Sequence, residues 1–161
     1  MVFSSSGALL GSDMKNGKIS TELRTHACGK LEIDLPITLT VESRYPELFA
    51  SDSGRRNVLT IVIDPPEATK RYFLQILQSP PPAGPRLHQK ILRCGKTHSP
   101  FKGMECLKEE FVNPKKVGSS WLLGLKAGTH FIKVQLMTNT PWSKNGDIWE
   151  RVIASLRWTN A

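Results

Sequence analysis

The stretch SSWLLGLKAGTHFIKVQLMT, residues 119–138, limits the fold more than any other part of the chain. Ile132, Val134 and Leu136 alternate with Lys133 and Gln135. A period of two gives an extended strand one apolar and one polar face, and it does not suit an amphipathic helix. Ala127-Gly128 supplies the turn, so the stretch predicts a β-hairpin. A lone hairpin is marginal in water, so other strands or a helix must cover its apolar face.

The rest of the chain offers that cover. VLTIVID, residues 58–64, is a β-branched run of the length of a buried strand. KLEIDLPITLTVES, residues 30–43, alternates at Leu31, Ile33 and Leu35 and again at Ile37, Leu39 and Val41. Pro36 cannot donate to a ladder, which leaves two short strands or one bent strand at an edge or bulge. PELFASDSGRRN, residues 46–57, is rich in turn formers and reads as a loop. LHQKILRCGKTHSPFKGMECLKEEFV, residues 87–112, reads as two extended segments around a turn near Ser99, Pro100 and Gly103.

Two segments carry helical spacing. In PPEATKRYFLQILQ, residues 65–78, Pro66 and Glu67 suit a first turn. Tyr72, Phe73, Ile76 and Leu77 then share one face, with a strand over residues 71–77 as the alternative. SPPPAGP, residues 79–85, ends the element as a stiff connection. In NGDIWERVIASLRW, residues 145–158, Asp147 can cap a helix. Ile148, Trp149, Val152, Ile153 and Leu156 form its stripe, with Glu150, Arg151 and Arg157 off it. Strands that arrive in hairpins with segregated helices predict an α+β fold: a central, mainly antiparallel sheet with helices packed on it.

The length, 161 residues, fits one such domain. Residues 1–22 read as a flexible leader and residues 23–161 as the domain. The start, MVFSSSGALLGSDMKNGK, lacks the basic and long apolar regions of a secretory signal. No apolar run approaches the roughly 20 residues of a membrane helix. The formal net charge of +8 favours an acidic partner. The charge is scattered, however, in pairs such as Arg55-Arg56, Lys70-Arg71 and Lys115-Lys116, which argues against nucleic acid.

Catalytic signatures are sparse. His26 and Cys28 sit two apart, and Cys94 and His98 four apart. A thiol enzyme needs a base within reach of the sulfur, and no family motif surrounds either cysteine. His26, Cys28, Cys94, His98 and Cys106 lack the paired short spacings of zinc sites. Glu109 and Glu110 are strand neighbours and point to opposite faces, and Asp64 reads as a surface acid. No phosphate loop, dinucleotide fingerprint or serine triad is present. The reading is therefore non-catalytic, with no cofactor and no metal. With the turn near Pro100, Cys94 and Cys106 fall opposite each other as a disulfide candidate. A pair involving Cys28, or free thiols, are the alternatives. Trp121, Trp149 and Trp158 read as core. Trp142 lies in the loop TNTPWSKNG, residues 138–146, as a binding anchor or a cover for the sheet end.

RTHACGKLEIDLP, residues 24–36, resembles the opening strand of bacterial type VI secretion immunity proteins that neutralise phospholipase-type effectors. Cys28, Gly29, Lys30, Ile33, Asp34, Leu35 and Pro36 carry the match. The closing half, from FKGMECLKEEFV through WLLGLKAGTHFIKVQLMTNT to DIWERVIASLRW, also resembles the wider PsbP-like and DcrB-like group of α/β sandwiches. The resemblance implies a periplasmic, stoichiometric inhibitor, monomer or homodimer, that occludes its cognate effector protein. A cytoplasmic DcrB-like chaperone, with an exposed apolar groove, is the rival reading. Loop placement and charge nominate Arg55, Arg56, Lys115, Lys116 and Trp142 as partner contacts. Cys28 and Gly29 then serve structure, with Gly29 turning the chain into the sheet.

Overall fold

The structure is a computed structural model and describes residues 19–78, 88–94, 101, 103–112, 117–140 and 142–159. The strands are β1 (Leu23–Cys28), β2 (Leu31–Pro36), β3 (Thr40–Arg44), β4 (Glu47–Ser51) and β5 (Asn57–Ile63), then β6 (His88–Cys94), β7 (Gly103–Val112), β8 (Val117–Ala127), β9 (His130–Thr138) and β10 (Arg157–Trp158). Helix α1 (Glu67–Gln78) follows β5, and helix α2 (Trp142–Ala154) follows β9. A large sheet has the order β3-β4-β5-β9-β8-β7-β6, and a small one the order β1-β2-β10. Each of the paired neighbours is antiparallel. The fold is α+β, with strands in two sheets rather than one.

Alternation decides which face is buried. Leu59, Ile61 and Ile63 of β5, Leu123 and Leu125 of β8, and Ile132, Val134 and Leu136 of β9 share one cluster. Leu31, Ile33 and Leu35 of β2 and Trp149, Val152, Ile153 and Leu156 of the closing stripe complete it. Burying such side chains contributes about 1.5–3 kcal/mol each. On the other face of the large sheet, Phe73 and Leu77 of α1 pack with Leu107, Leu122 and Phe131. Gly124 makes that close approach possible: a Cβ there would stand 3.0 Å from Phe131 Cζ and 3.3 Å from Leu77 Cδ1.

Several expectations change. Residues 47–51 are strand β4, paired on both sides, rather than loop. Leu48 and Ala50 are buried, so the run E-L-F-A-S alternates after all. Tyr72 is 66% exposed and leaves the α1 stripe to Phe73 and Leu77, with Ile76 partly buried beside them. Helix α2 begins at Trp142, five residues before the expected cap Asp147. Arg157 stands on β10, beyond the helix. The turn of the β8–β9 hairpin is Gly128-Thr129, one residue on from Ala127-Gly128, because Ala127 pairs with His130. Ile19 is buried in the main cluster and its N–H donates to Asn145 Oδ1 at 3.4 Å. The folded unit therefore reaches back past the expected boundary at residue 23.

Candidate functional site

Two constellations stand at opposite ends of β5. The first is the β4–β5 loop. The Asp52 carboxyl is buried and accepts from the N–H groups of Arg56 (2.7 Å) and Asn57 (3.3 Å), and from Asn57 Nδ2 (2.7 Å). The Asp52 carbonyl accepts from Arg55 N at 3.0 Å, and Arg56 O accepts from Asn139 N at 2.9 Å. This mesh holds Arg55 at φ +52°, in the left-handed region, where a non-glycine residue costs about 1–2 kcal/mol. Arg55 and Arg56 are both exposed. The Arg55 guanidinium lies 5.8 Å from the centre of the Phe49 ring. Phe49 pairs with Thr60, Val58 pairs with Met137, and alternation puts Phe49, Val58 and Met137 on the outer face beside the loop. Met137 is 46% exposed.

The second constellation is a cavity of about 270 Å³ lined by Gly29, Lys30, Tyr45, His130 and Trp158. Cys28 pairs with Leu31, so Gly29-Lys30 is the two-residue turn of the β1–β2 hairpin. Gly29, at φ +61°, supplies the conformation that such turns need at their first position. Tyr45 lies at the β3–β4 corner, which is tied to β5 by Ile63 N donating to Pro46 O at 2.8 Å. Its ring rests directly on Gly29. Trp158 is held by its pairing with Leu31 and by Thr159 N donating to Lys30 O at 2.7 Å.

Arg157 locks that short strand. Its Nε meets Glu32 Oε1 at 3.0 Å and its Nη2 meets Asp34 Oδ1 at 3.1 Å, while Nη1 donates to Ser155 O at 2.9 Å. The bond to Asp34, with the one to Glu32, holds the guanidinium above its ordinary pKa. Burial pushes the Asp34 carboxyl upward, but bonds from Thr25 and Arg157 outweigh it and the net shift is downward.

His130 opens β9, and its ring lies 5.1 Å from Trp158, centre to centre. Its Nδ1 stands 2.6 Å from Asp64 Oδ2. Asp64 Oδ1 accepts from Phe131 N at 3.0 Å, and Asp64 N donates to Phe131 O at 2.7 Å. These bonds hold Asp64 at φ +52° before Pro65. Burial raises the Asp64 pKa, but the bonds from His130 and Phe131 more than offset it, so the carboxyl sits below its ordinary value. A carboxylate only accepts, so His130 carries its proton on Nδ1 and leaves Nε2 as the second polar atom of the ring.

The predicted residues fall as follows. Arg55 and Arg56 share the first constellation. Lys115, Lys116 and His98 lie outside the described residues. Trp142 starts α2 rather than sitting in a loop. Cys94 and Cys106 are register partners of β6 and β7. Cys28 is buried and free, and burial pushes its thiol up, so it is a poor nucleophile. The downward shift of His26 comes from burial and then from Arg24. Trp121 and Trp149 are core, whereas Trp158 is half-buried and lines the cavity. Asp64 is exposed, as expected of a surface acid, and is also the partner of His130. The β5–β9 register creates this pair, and its only local sign is an Asp ahead of two prolines. Among the described residues, no cluster of three or more His, Cys, Asp or Glu could hold a metal, and no helix is long and apolar enough to cross a membrane.

No family model and no curated protein matches the chain. Among solved structures, a Bacteroides thetaiotaomicron protein is similar over 83% of this chain and 47% of its own, at 15% identity and a TM-score of 0.47. This chain thus spans about half of that protein's length. A Pseudomonas aeruginosa protein of unknown function, PA94, is similar over 87% of this chain and 99% of its own, at 12% identity and a TM-score of 0.45.

Proposed function

We propose that this chain is a non-catalytic binding protein that neutralises a toxic secreted bacterial effector by covering its active site. The observation that carries the reading is the β4–β5 loop. The buried Asp52 holds this loop with two exposed arginines, one of them, Arg55, in a strained left-handed conformation. Such a loop binds with little ordering cost, which favours affinity. Arginine and methionine are enriched in interfaces, and here Arg55 stands beside the apolar face of Phe49, Val58 and Met137. The occupant is an acidic protein surface, because the chain carries a net charge of +8 and complementary charge steers encounter. The effector class, a phospholipase-type toxin, comes from the resemblance of residues 24–36.

A tagged pull-down with mass spectrometry identifies the partner, and surface plasmon resonance measures the association rate. Arg55→Glu with Arg56→Glu is expected to slow association at low salt about tenfold or more, with the circular dichroism spectrum unchanged. An unchanged on-rate removes the loop from the interface. The periplasmic placement has its own test. The Cys94–Cys106 register is compatible with a disulfide, which an oxidising compartment would form. Non-reducing peptide mapping of protein from its native host reads it directly. Three free thiols there would favour the cytoplasmic chaperone.

A further inference from the structure

The cavity between the β1–β2 turn, the β3–β4 corner and β10 lies at the far end of β5 from the arginine loop. A seven-residue strand separates them by roughly 20 Å, so one needs no occupant of the other. We infer that this cavity binds a small planar aromatic anion, with its ring against Tyr45 and Trp158 and its carboxylate at Lys30.

Three observations carry the inference. The walls are aromatic and pre-formed. Tyr45 is 57% exposed and yet seated on Gly29, and Trp158 is fixed by strand pairing, by the Thr159–Lys30 bond and by the Arg157 ion pairs. An exposed tyrosine and a half-buried tryptophan around one cavity offer ring faces for stacking. The volume, about 270 Å³, falls just below the roughly 300–1,000 Å³ of drug-sized sites. It suits a molecule of one or two rings.

Charge selects the anion. Among the described lining residues Lys30 is the permanent cation, and none of them is a carboxylate. The Asp64 carboxylate, bonded to the lining His130, already accepts from His130 Nδ1 and from Phe131 N. Lys30 repels a cationic ligand, whereas an anion pairs with it.

Isothermal titration of the full chain with three indoles tests this. Indole-3-acetate, indole-3-acetamide and tryptamine carry comparable rings and side chains that are anionic, neutral and cationic. Indole-3-acetate is expected to bind about tenfold more tightly than tryptamine, with the amide between them. Tyr45→Ala removes an exposed ring and is expected to weaken all that bind. Lys30→Gln is expected to weaken indole-3-acetate roughly three- to tenfold and to leave the amide unchanged. Circular dichroism confirms that both variants fold. Tryptamine binding as tightly as the acetate would overturn the anion assignment. Equal affinity in Tyr45→Ala, or no heat from the acetate at millimolar concentration, would overturn the site.

Discussion

A Cβ placed on Gly29 would stand 2.7 Å from both Cδ1 and Cε1 of Tyr45. The first turn of the chain and the β3–β4 corner are therefore fitted to one another. Gly29→Ala must push the Tyr45 ring away and hold an alanine at φ +61°. It is expected to destabilise the fold by about 1–2 kcal/mol. Urea denaturation with an unchanged midpoint would show that the ring moves freely and that the turn tolerates alanine.

Asp52 and Arg55 should respond in opposite directions. Asp52→Ala leaves buried N–H groups of the loop without their acceptor, and a loss of about 2–3 kcal/mol is expected. Arg55→Gly relieves a left-handed φ and is expected to raise stability by about 0.5–1 kcal/mol while slowing partner association. Thermal denaturation of the two variants, with their on-rates, tests whether the strain is held for binding.

The carboxyls of Asp34 and Asp64 sit below their ordinary pKa in the folded chain. A depressed carboxyl stabilises the fold above its unfolded-state pKa, near 4, and that contribution is lost as pH falls through the folded value. Stability should therefore drop below about pH 4. Asp34→Asn should cost about 1 kcal/mol at pH 7 and make the acid limb shallower. Urea midpoints from pH 2.5 to 7 give both, and an acid limb as steep as the parent's would remove Asp34 from the account.

Gly124 lies beneath α1, against Phe131 and Leu77. Phe131 is buried and has Lys70 above its ring, so it has little room to retreat. Gly124→Ala is expected to destabilise by about 1–3 kcal/mol through overpacking. Hydrogen exchange should speed up first in α1. Uniform exchange across the chain would mean that the clash is relieved elsewhere.

Local pattern made much of the fold legible. The alternation of Ile132, Val134 and Leu136, the β-branched run at residues 58–64 and the stripe from Trp149 to Leu156 each report a face, because side-chain direction follows backbone period. The same logic predicted the Cys94–Cys106 register from one turn position. It failed for β4, where Pro46 and a Ser/Asp/Gly cluster mask a five-residue alternation.

By itself the sequence determined the α+β class, the hairpins, the apolar stripes and the Arg55-Arg56 pair. The tertiary structure alone decided that two sheets form, that Asp52 locks the arginines, and that Tyr45 settles on Gly29. It also joined Asp64 to His130, 66 residues apart, and brought Trp158 beside them. The physical reason is one of range. Periodicity is written between neighbours, whereas these contacts depend on strand register and packing between segments that no local pattern relates.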